Sequence, residues 1–173
     1  MIKRPGQQQL LLPVSPLFMW ASLVVALLIN MIPIGRAAWM PDLLALAIVF
    51  WGVHQSARVG IGAAFVFGLC MDVHQSSMLG QHALSYTTLG FFAITIHRRL
   101  LWFSVPSQAL QVLPLFAAAH AIELAIRLIG GGAFPGLLLA LAPVIESMLW
   151  PLVSVLLLAP QRRAPDPDEN RPL

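Results

Sequence analysis

The chain has 173 residues, of which 58% are apolar and only 10% are charged. A soluble domain carries about 25% charged residues, so this composition excludes a soluble globular enzyme, a disordered chain and a coiled coil. The apolar runs are unbroken and do not alternate, which argues against an outer-membrane barrel. A mean hydropathy of +0.81 indicates a helical protein that crosses a membrane several times. The single cysteine, Cys70, excludes an intrachain disulfide, and its apolar neighbours predict that it is buried.

The first apolar run covers residues 16–34, and its opening proline suits the first turn of a helix. The run is too long for the apolar part of a signal peptide, and no convincing small-residue cleavage site follows it. We therefore expect a retained membrane span. Residues 1–15 are expected to form a short cytoplasmic tail before it.

The second and third runs, 36–58 and 58–72, are both short. Residues 42–58 cover about 24 Å as a helix, whereas a hydrocarbon core is ~30 Å thick. Two tilted or snorkelling spans are one reading, and a re-entrant hairpin with Arg58 at its tip is the other. Burial of an arginine at such a tip is costly, so two spans are favoured.

Three further apolar runs follow, over residues 81–96, 106–129 and 134–159. The last of them contains Pro143 and Pro151, which predict a kinked helix. The transmembrane domain is thus expected to span residues 16–159 with six helices. Residues 160–173 are charged and rich in proline, which predicts a disordered tail.

The basic residues are distributed unequally between the two sides of such a bundle. One side would hold eight of the ten, namely Lys3, Arg4, Arg58, Arg98, Arg99, Arg162, Arg163 and Arg171. The other would hold Arg36 and Arg127. Because lysine and arginine concentrate on the cytoplasmic side, both termini are predicted to be cytoplasmic. The high isoelectric point therefore reflects orientation, and no nucleic-acid partner is expected.

Glu146 is the deepest charged residue, close to the middle of the sixth run. A carboxylate at that depth is costly unless it is protonated, hydrogen-bonded or faces a wet cavity. It is read either as a coupling or substrate-binding residue, or as one partner of a hydrogen bond between helices.

His120, Glu123 and Arg127 share one face of the fifth helix, and the spacing of Glu123 and Arg127 predicts a neutralised pair near the surface. Glu123 and Glu146 differ in depth by about 9 Å of helix rise, which weakens the case for a catalytic carboxylate pair.

Asp72, His74 and His82 gather near the outer ends of the third and fourth runs, but their loose spacing is weak support for a zinc site. No nucleophile motif, phosphate-binding loop or cysteine pair is present. We therefore predict no enzymatic activity and no metal or cofactor. In the third run, Gly60, Gly62, Ala64 and Gly68 offer a small-residue face, either for packing in the bundle or for a partner's helix.

Three motifs lie between residues 38 and 99. Pro41-Asp42-Leu43-Leu44 opens one apolar run, Gly68-Leu69-Cys70-Met71-Asp72 closes the next, and Leu79-Gly80 precedes the fourth. In this combination and spacing they resemble the rod shape-determining protein MreD family. The half of the chain after Pro106 fits that family by hydropathy alone, so Glu123, Arg127 and Glu146 are assigned no role from it.

The resemblance implies a non-enzymatic component of the bacterial inner membrane that belongs to the cell-elongation machinery. It also implies partnership with the membrane-anchored protein MreC and, through it, with MreB and the peptidoglycan synthases. The fold would be similar to the substrate-binding components of vitamin-uptake transporters, so a small-molecule-binding transporter subunit is the alternative. Pro41, Asp42, Gly68, Asp72, Leu79 and Gly80 are the candidate motif positions. We expect Asp42 and Asp72 to cap or fix the outer ends of the second and third spans and to present a surface to MreC.

Overall fold

A computed structural model describes residues 14–32 and 39–161. Their regular structure is helical throughout. The six α-helices are α1 (Pro16–Met31), α2 (Leu43–His54), α3 (Ile61–Gln75), α4 (Gln81–Leu100), α5 (Val105–Ile129) and α6 (Leu141–Leu158). Short 3-10 turns flank α6 at Leu137–Ala140 and Ala159–Gln161. Most of both predicted tails, and Arg36, lie outside the described residues.

Helix α2 occupies the centre of the bundle, where it packs against α1, α4 and α6. Ten of its twelve residues are buried, because its sequence is apolar on every side. The helix is only about 18 Å long. It therefore forms only part of the run predicted from residue 36 to residue 58.

Helices α3 and α4 run antiparallel and approach very closely. A β-carbon at position 68 would lie 2.6 Å from the nitrogen of Ala83 and 2.7 Å from the oxygen of His82. One β-carbon at position 90 would lie 3.3 Å from that of Ala64. The small-residue face thus packs within the bundle at Ala64 and Gly68, whereas Gly62 faces open space.

The sequence predicts the boundaries of α5 more accurately than those of α6. Helix α5 begins and ends within one residue of the predicted run. Helix α6 begins later than expected, and Pro143 stands in its first turn, where no helical hydrogen bond is lost. A kink at Pro143 is therefore not required, while Pro151 does lie inside the helix. Cys70 is exposed at the surface of α3, so the prediction of its burial is wrong.

Two segments, Val105–Ile129 and Leu137–Gln161, are long and apolar enough to cross a membrane. Helices α1, α2 and α3 are apolar but have only 16, 12 and 15 residues. Helix α4 has 20 residues, with His97, Arg98 and Arg99 in its last turn. The architecture is that of an all-helical protein whose apolar segments fit a membrane protein.

The two ends of the bundle differ in character. At the basic end, defined by Arg58, Arg98 and Arg99, the Nη1 group of Arg58 donates to the carbonyl of Val14 at 3.0 Å. This bond joins the turn between α2 and α3 to the start of α1. The polar end, defined by Asp42, Asp72, Glu123 and Glu146, lies opposite and contains the candidate site.

Candidate functional site

Asp42 connects four helices at the polar end. As the residue before α2, it accepts from the backbone nitrogen of Ala45 at 2.9 Å and thereby caps that helix. The same oxygen accepts from the side chain of Asn30 in α1 at 2.5 Å. Its other oxygen accepts from the hydroxyl of Tyr86 in α4. The backbone nitrogen of Asp42 donates to Oε1 of Glu146 in α6 at 2.9 Å.

Glu146 continues this network into α5. The Nε2 group of His120 donates to Oε1 of Glu146 at 2.9 Å, and Nδ1 of His120 lies 3.7 Å from Oε2 of Glu123. One imidazole therefore stands between two carboxylates. The side chain of Glu146 is completely buried and lies behind His120, away from solvent.

Asp72 is built into a different arrangement, at the junction of α3 and α4. Its carboxylate accepts from the backbone nitrogens of Gly80, His82 and Ala83 at 2.8, 2.7 and 3.3 Å. The nitrogens of His82 and Ala83 belong to the first turn of α4 and that of Gly80 immediately precedes it, so Asp72 caps a helix other than its own. It also accepts from Nδ1 of His82 at 2.8 Å and from the hydroxyl of Ser77 at 3.1 Å.

The two motif glycines, Gly80 and Gly68, lie at the same junction as this cap. Gly80 precedes α4 with a φ of 102°, a left-handed conformation in which glycine is favoured, and it has no side chain with which to cap the helix itself. Gly68 lies one turn before Asp72 and permits the close approach of the two helices. Gly68, Asp72 and Gly80 are thus parts of one helix junction.

A cavity of about 700 Å³ opens at the polar end. Its polar lining comes from α1, α3, α4 and α5 and from the segment before α2, and includes Asn30, Asp42, Gln75, Gln81, His82, His120, Glu123 and Arg127. Pro41 lines it next to Asp42, whereas Leu79 lies on the outer surface and is 72% exposed. Glu146 is behind the wall, bonded to two of the lining residues.

Two polar atoms around this cavity lack hydrogen-bond partners among the described residues. They are Oε2 of Glu146 and Nδ1 of His120, both buried. Glu123, whose side chain is only 16% exposed, has His120, at 3.7 Å, and Ser85 as its polar neighbours in that part of the chain. Buried polar groups are normally paired, so these atoms distinguish the cavity wall from the Asp72 junction.

Two sequence predictions about this region need correction. The described residues contain no Glu123–Arg127 ion pair, because Glu123 turns towards His120, three residues earlier, and Arg127 is exposed at the cavity rim. The difference in depth between Glu123 and Glu146 also weakened the case for a site shared by the two carboxylates. Both approach His120, because α5 and α6 pack side by side.

The hydrogen-bond partners Asn30, Tyr86 and His120 were not predicted to meet. Asn30 is the strongly polar residue within the first apolar run, and Tyr86 is the chain's single tyrosine. Their rarity in this chain is the sequence feature that could have pointed to the hydrogen-bond network. His74 does not join Asp72 and His82, and the described residues contain no group of three or more histidine, cysteine or acidic side chains that could hold a metal.

The fold and the site define a class: a small all-helical bundle with apolar segments that fit a membrane protein and a polar, cavity-bearing end. Residues 13–159 match the rod shape-determining protein MreD family, and the chain belongs to it. It is 26% identical over 129 residues to the rod shape-determining protein MreD of Haemophilus influenzae, which covers 72% of this chain and 77% of that protein. No solved structure matches. Family membership supports a role in rod shape determination.

Proposed function

We propose that the protein is a non-catalytic component of the cell-elongation machinery in the bacterial inner membrane, and that it binds MreC at the polar end of the bundle. Through MreC it would be connected to MreB and the peptidoglycan synthases. The observation that carries this proposal is the turn between α3 and α4, where Met78 and Leu79 are 56% and 72% exposed. Asp72 holds this turn by hydrogen bonds on both sides of it, so the apolar tip is rigid enough to bind a partner.

The orientation proposed for the bundle places this turn in the periplasm, with six crossings and both termini in the cytoplasm. The uneven distribution of basic residues supports this orientation, as does the bond that joins Arg58 to the start of α1. A reporter fused after Pro160 should therefore read as cytoplasmic. A periplasmic signal would overturn the six-span topology.

Co-purification with MreC tests the binding surface. Leu79→Ser should lower recovery of MreC several-fold without lowering the protein's melting temperature, because the side chain makes an exposed contact. Leu101→Ser at the basic end is the matched control, since Leu101 is also exposed. Asp72→Ala should lower both recovery and melting temperature. Normal recovery and normal rod shape in Leu79→Ser and Asp72→Ala would refute the proposed surface.

A second candidate function, the small-molecule-binding subunit of a transporter, is favoured by the cavity. Its volume of about 700 Å³ lies within the range of ligand pockets, about 300–1,000 Å³. This function predicts a small ligand that raises the melting temperature and a transport or growth defect in Glu146→Gln. A ligand screen without stabilisation, together with normal function of that variant, would remove this candidate.

A further inference from the structure

The carboxylates at the cavity outnumber the cationic side chains beside them. Asp42, Glu123 and Glu146 supply three carboxylates in one connected network, and a single imidazole, that of His120, stands among the last two. Even a protonated His120, together with Arg127 at the rim, would contribute two positive charges against three negative ones. His82, the other histidine of the lining, is already bonded to Asp72.

The unfilled acceptors specify what a ligand must offer. Asp42 has both oxygens occupied by donors from the protein, whereas Glu123 has only His120, at 3.7 Å, and Ser85 as polar neighbours among the described residues, and Glu146 uses one oxygen of two. Buried carboxylates in such a state bind donors that carry positive charge. A protonated primary amine has three N–H donors in a compact group, which suits acceptors on neighbouring helices.

We propose that the cavity binds an organic cation with a primary ammonium group, which donates to the carboxylate of Glu123 and is attracted by Glu146 behind His120. The volume of the cavity admits a molecule much larger than ammonium itself. Arg127 at the rim would then face an anionic part of the ligand, if one is present. This inference does not depend on contact with MreC, which the exposed turn at Leu79 would make.

Two sources could supply this ammonium group, a free amine or the head group of an aminophospholipid. The shared chemistry is an N–H-bearing cation, and the choline head group lacks it because its nitrogen carries three methyl groups. Phosphatidylcholine nanodiscs therefore provide a membrane without the proposed ligand. Added ethanolamine and added choline form a matched pair of probes in such nanodiscs.

The experiment uses the full chain in phosphatidylcholine nanodiscs and follows its melting temperature during titration with ethanolamine. We expect a saturable increase with ethanolamine and none with choline. Glu123→Gln should weaken ethanolamine binding at least tenfold, whereas Arg98→Gln at the basic end should leave it unchanged. Equal responses to ethanolamine and choline, or no response to either in the wild type, would overturn the proposal.

Arg127→Gln provides a second measurement should Glu123→Gln not fold. Loss of a cation from the rim should tighten ethanolamine binding a few-fold, because it removes repulsion; unchanged or weaker binding counts against the site. Nanodiscs that contain phosphatidylethanolamine then identify the source. A raised melting temperature with no further response to ethanolamine assigns the site to the lipid, and a persistent response assigns it to a free amine.

Arg36 tests whether the chain itself supplies the cation, since it lies between α1 and α2 in sequence. If ethanolamine binds to Arg36→Gln but not to the wild type, an internal cation fills the site and the proposal is wrong. Equal binding by both proteins supports an external ligand.

Discussion

Two buried carboxylates at the same end of the bundle differ in how completely their surroundings hydrogen-bond them. Asp72 at the α3–α4 junction is 1% exposed, and donors fill both of its oxygens. Glu146 beside the cavity is 0% exposed, and its donors reach one oxygen while the other has no partner among the described residues. Burial alone therefore does not separate a structural carboxylate from a binding one.

The difference lies in where the donors come from. Asp72 faces the free backbone nitrogens at the start of a helix. These donors are fixed in place, and three of them donate to the two oxygens of the carboxylate. Glu146 faces side chains of α5 and a single backbone nitrogen before α2. At the α3–α4 junction both oxygens of the carboxylate are therefore hydrogen-bonded. Where α5 and α6 meet, one oxygen of Glu146 has no partner among the described residues.

The largest effect should come from crowding the α3–α4 junction. Gly68→Ala would place a carbon within 3 Å of the backbone of α4, which must then move away and abandon the cap from Asp72. We expect a loss of about 3 kcal/mol or more in unfolding free energy, since overpacking against backbone cannot be relieved by a rotamer change. SDS-induced unfolding in mixed micelles measures this loss.

Gly62→Ala is the matched control, because Gly62 belongs to the same helix and a β-carbon there meets no neighbour. Alanine favours a helix over glycine, so the control should be neutral or slightly stabilising. Equal destabilisation by both substitutions would show that helix α3 as a whole, rather than the junction at Gly68, is sensitive.

A smaller effect is expected from removing the charge of Asp72 while keeping its shape. Asp72→Asn replaces one accepting oxygen by an NH₂ group that points at N–H donors, so at least one backbone bond of α4 is lost whichever way the amide is oriented. We expect a decrease of about 2 kcal/mol in unfolding free energy, as for loss of a charged cap. Stability equal to the wild type would show that the cap contributes little.

Much of the helical order could be predicted from the sequence, because apolar runs and their polar ends are local features. The bounds of α5 agree to within a residue, and Pro41-Asp42 was correctly taken as the start of a helix. Asp42 and Asp72 were expected to cap or fix the outer ends of the second and third spans. Asp42 does cap the start of α2, whereas Asp72 lies in α3 but caps the start of α4. The surface for MreC stays a proposal.

The site could not be predicted from the sequence because its contacts join residues far apart in the chain. The bond from Asp42 to Glu146 links positions 104 residues apart, and that from Tyr86 to Asp42 links positions 44 apart. Helix rise alone suggested that Glu123 and Glu146 were separated in depth. It could not show that His120 would stand between them, since that depends on the packing of α5 against α6.

The smallest effect on stability is expected from Glu146→Gln, the counterpart of Asp72→Asn. The remaining carbonyl oxygen of glutamine can still accept from His120 and from the nitrogen of Asp42, because both bonds use Oε1. The new NH₂ group takes the place of Oε2, which has no bond to lose. We expect a change below about 1 kcal/mol, in either direction, by the same SDS unfolding measurement. A loss as large as that of Asp72→Asn would mean that the charge of Glu146 stabilises the bundle. The contrast between a carboxylate with both oxygens hydrogen-bonded and one with a free oxygen would then be wrong.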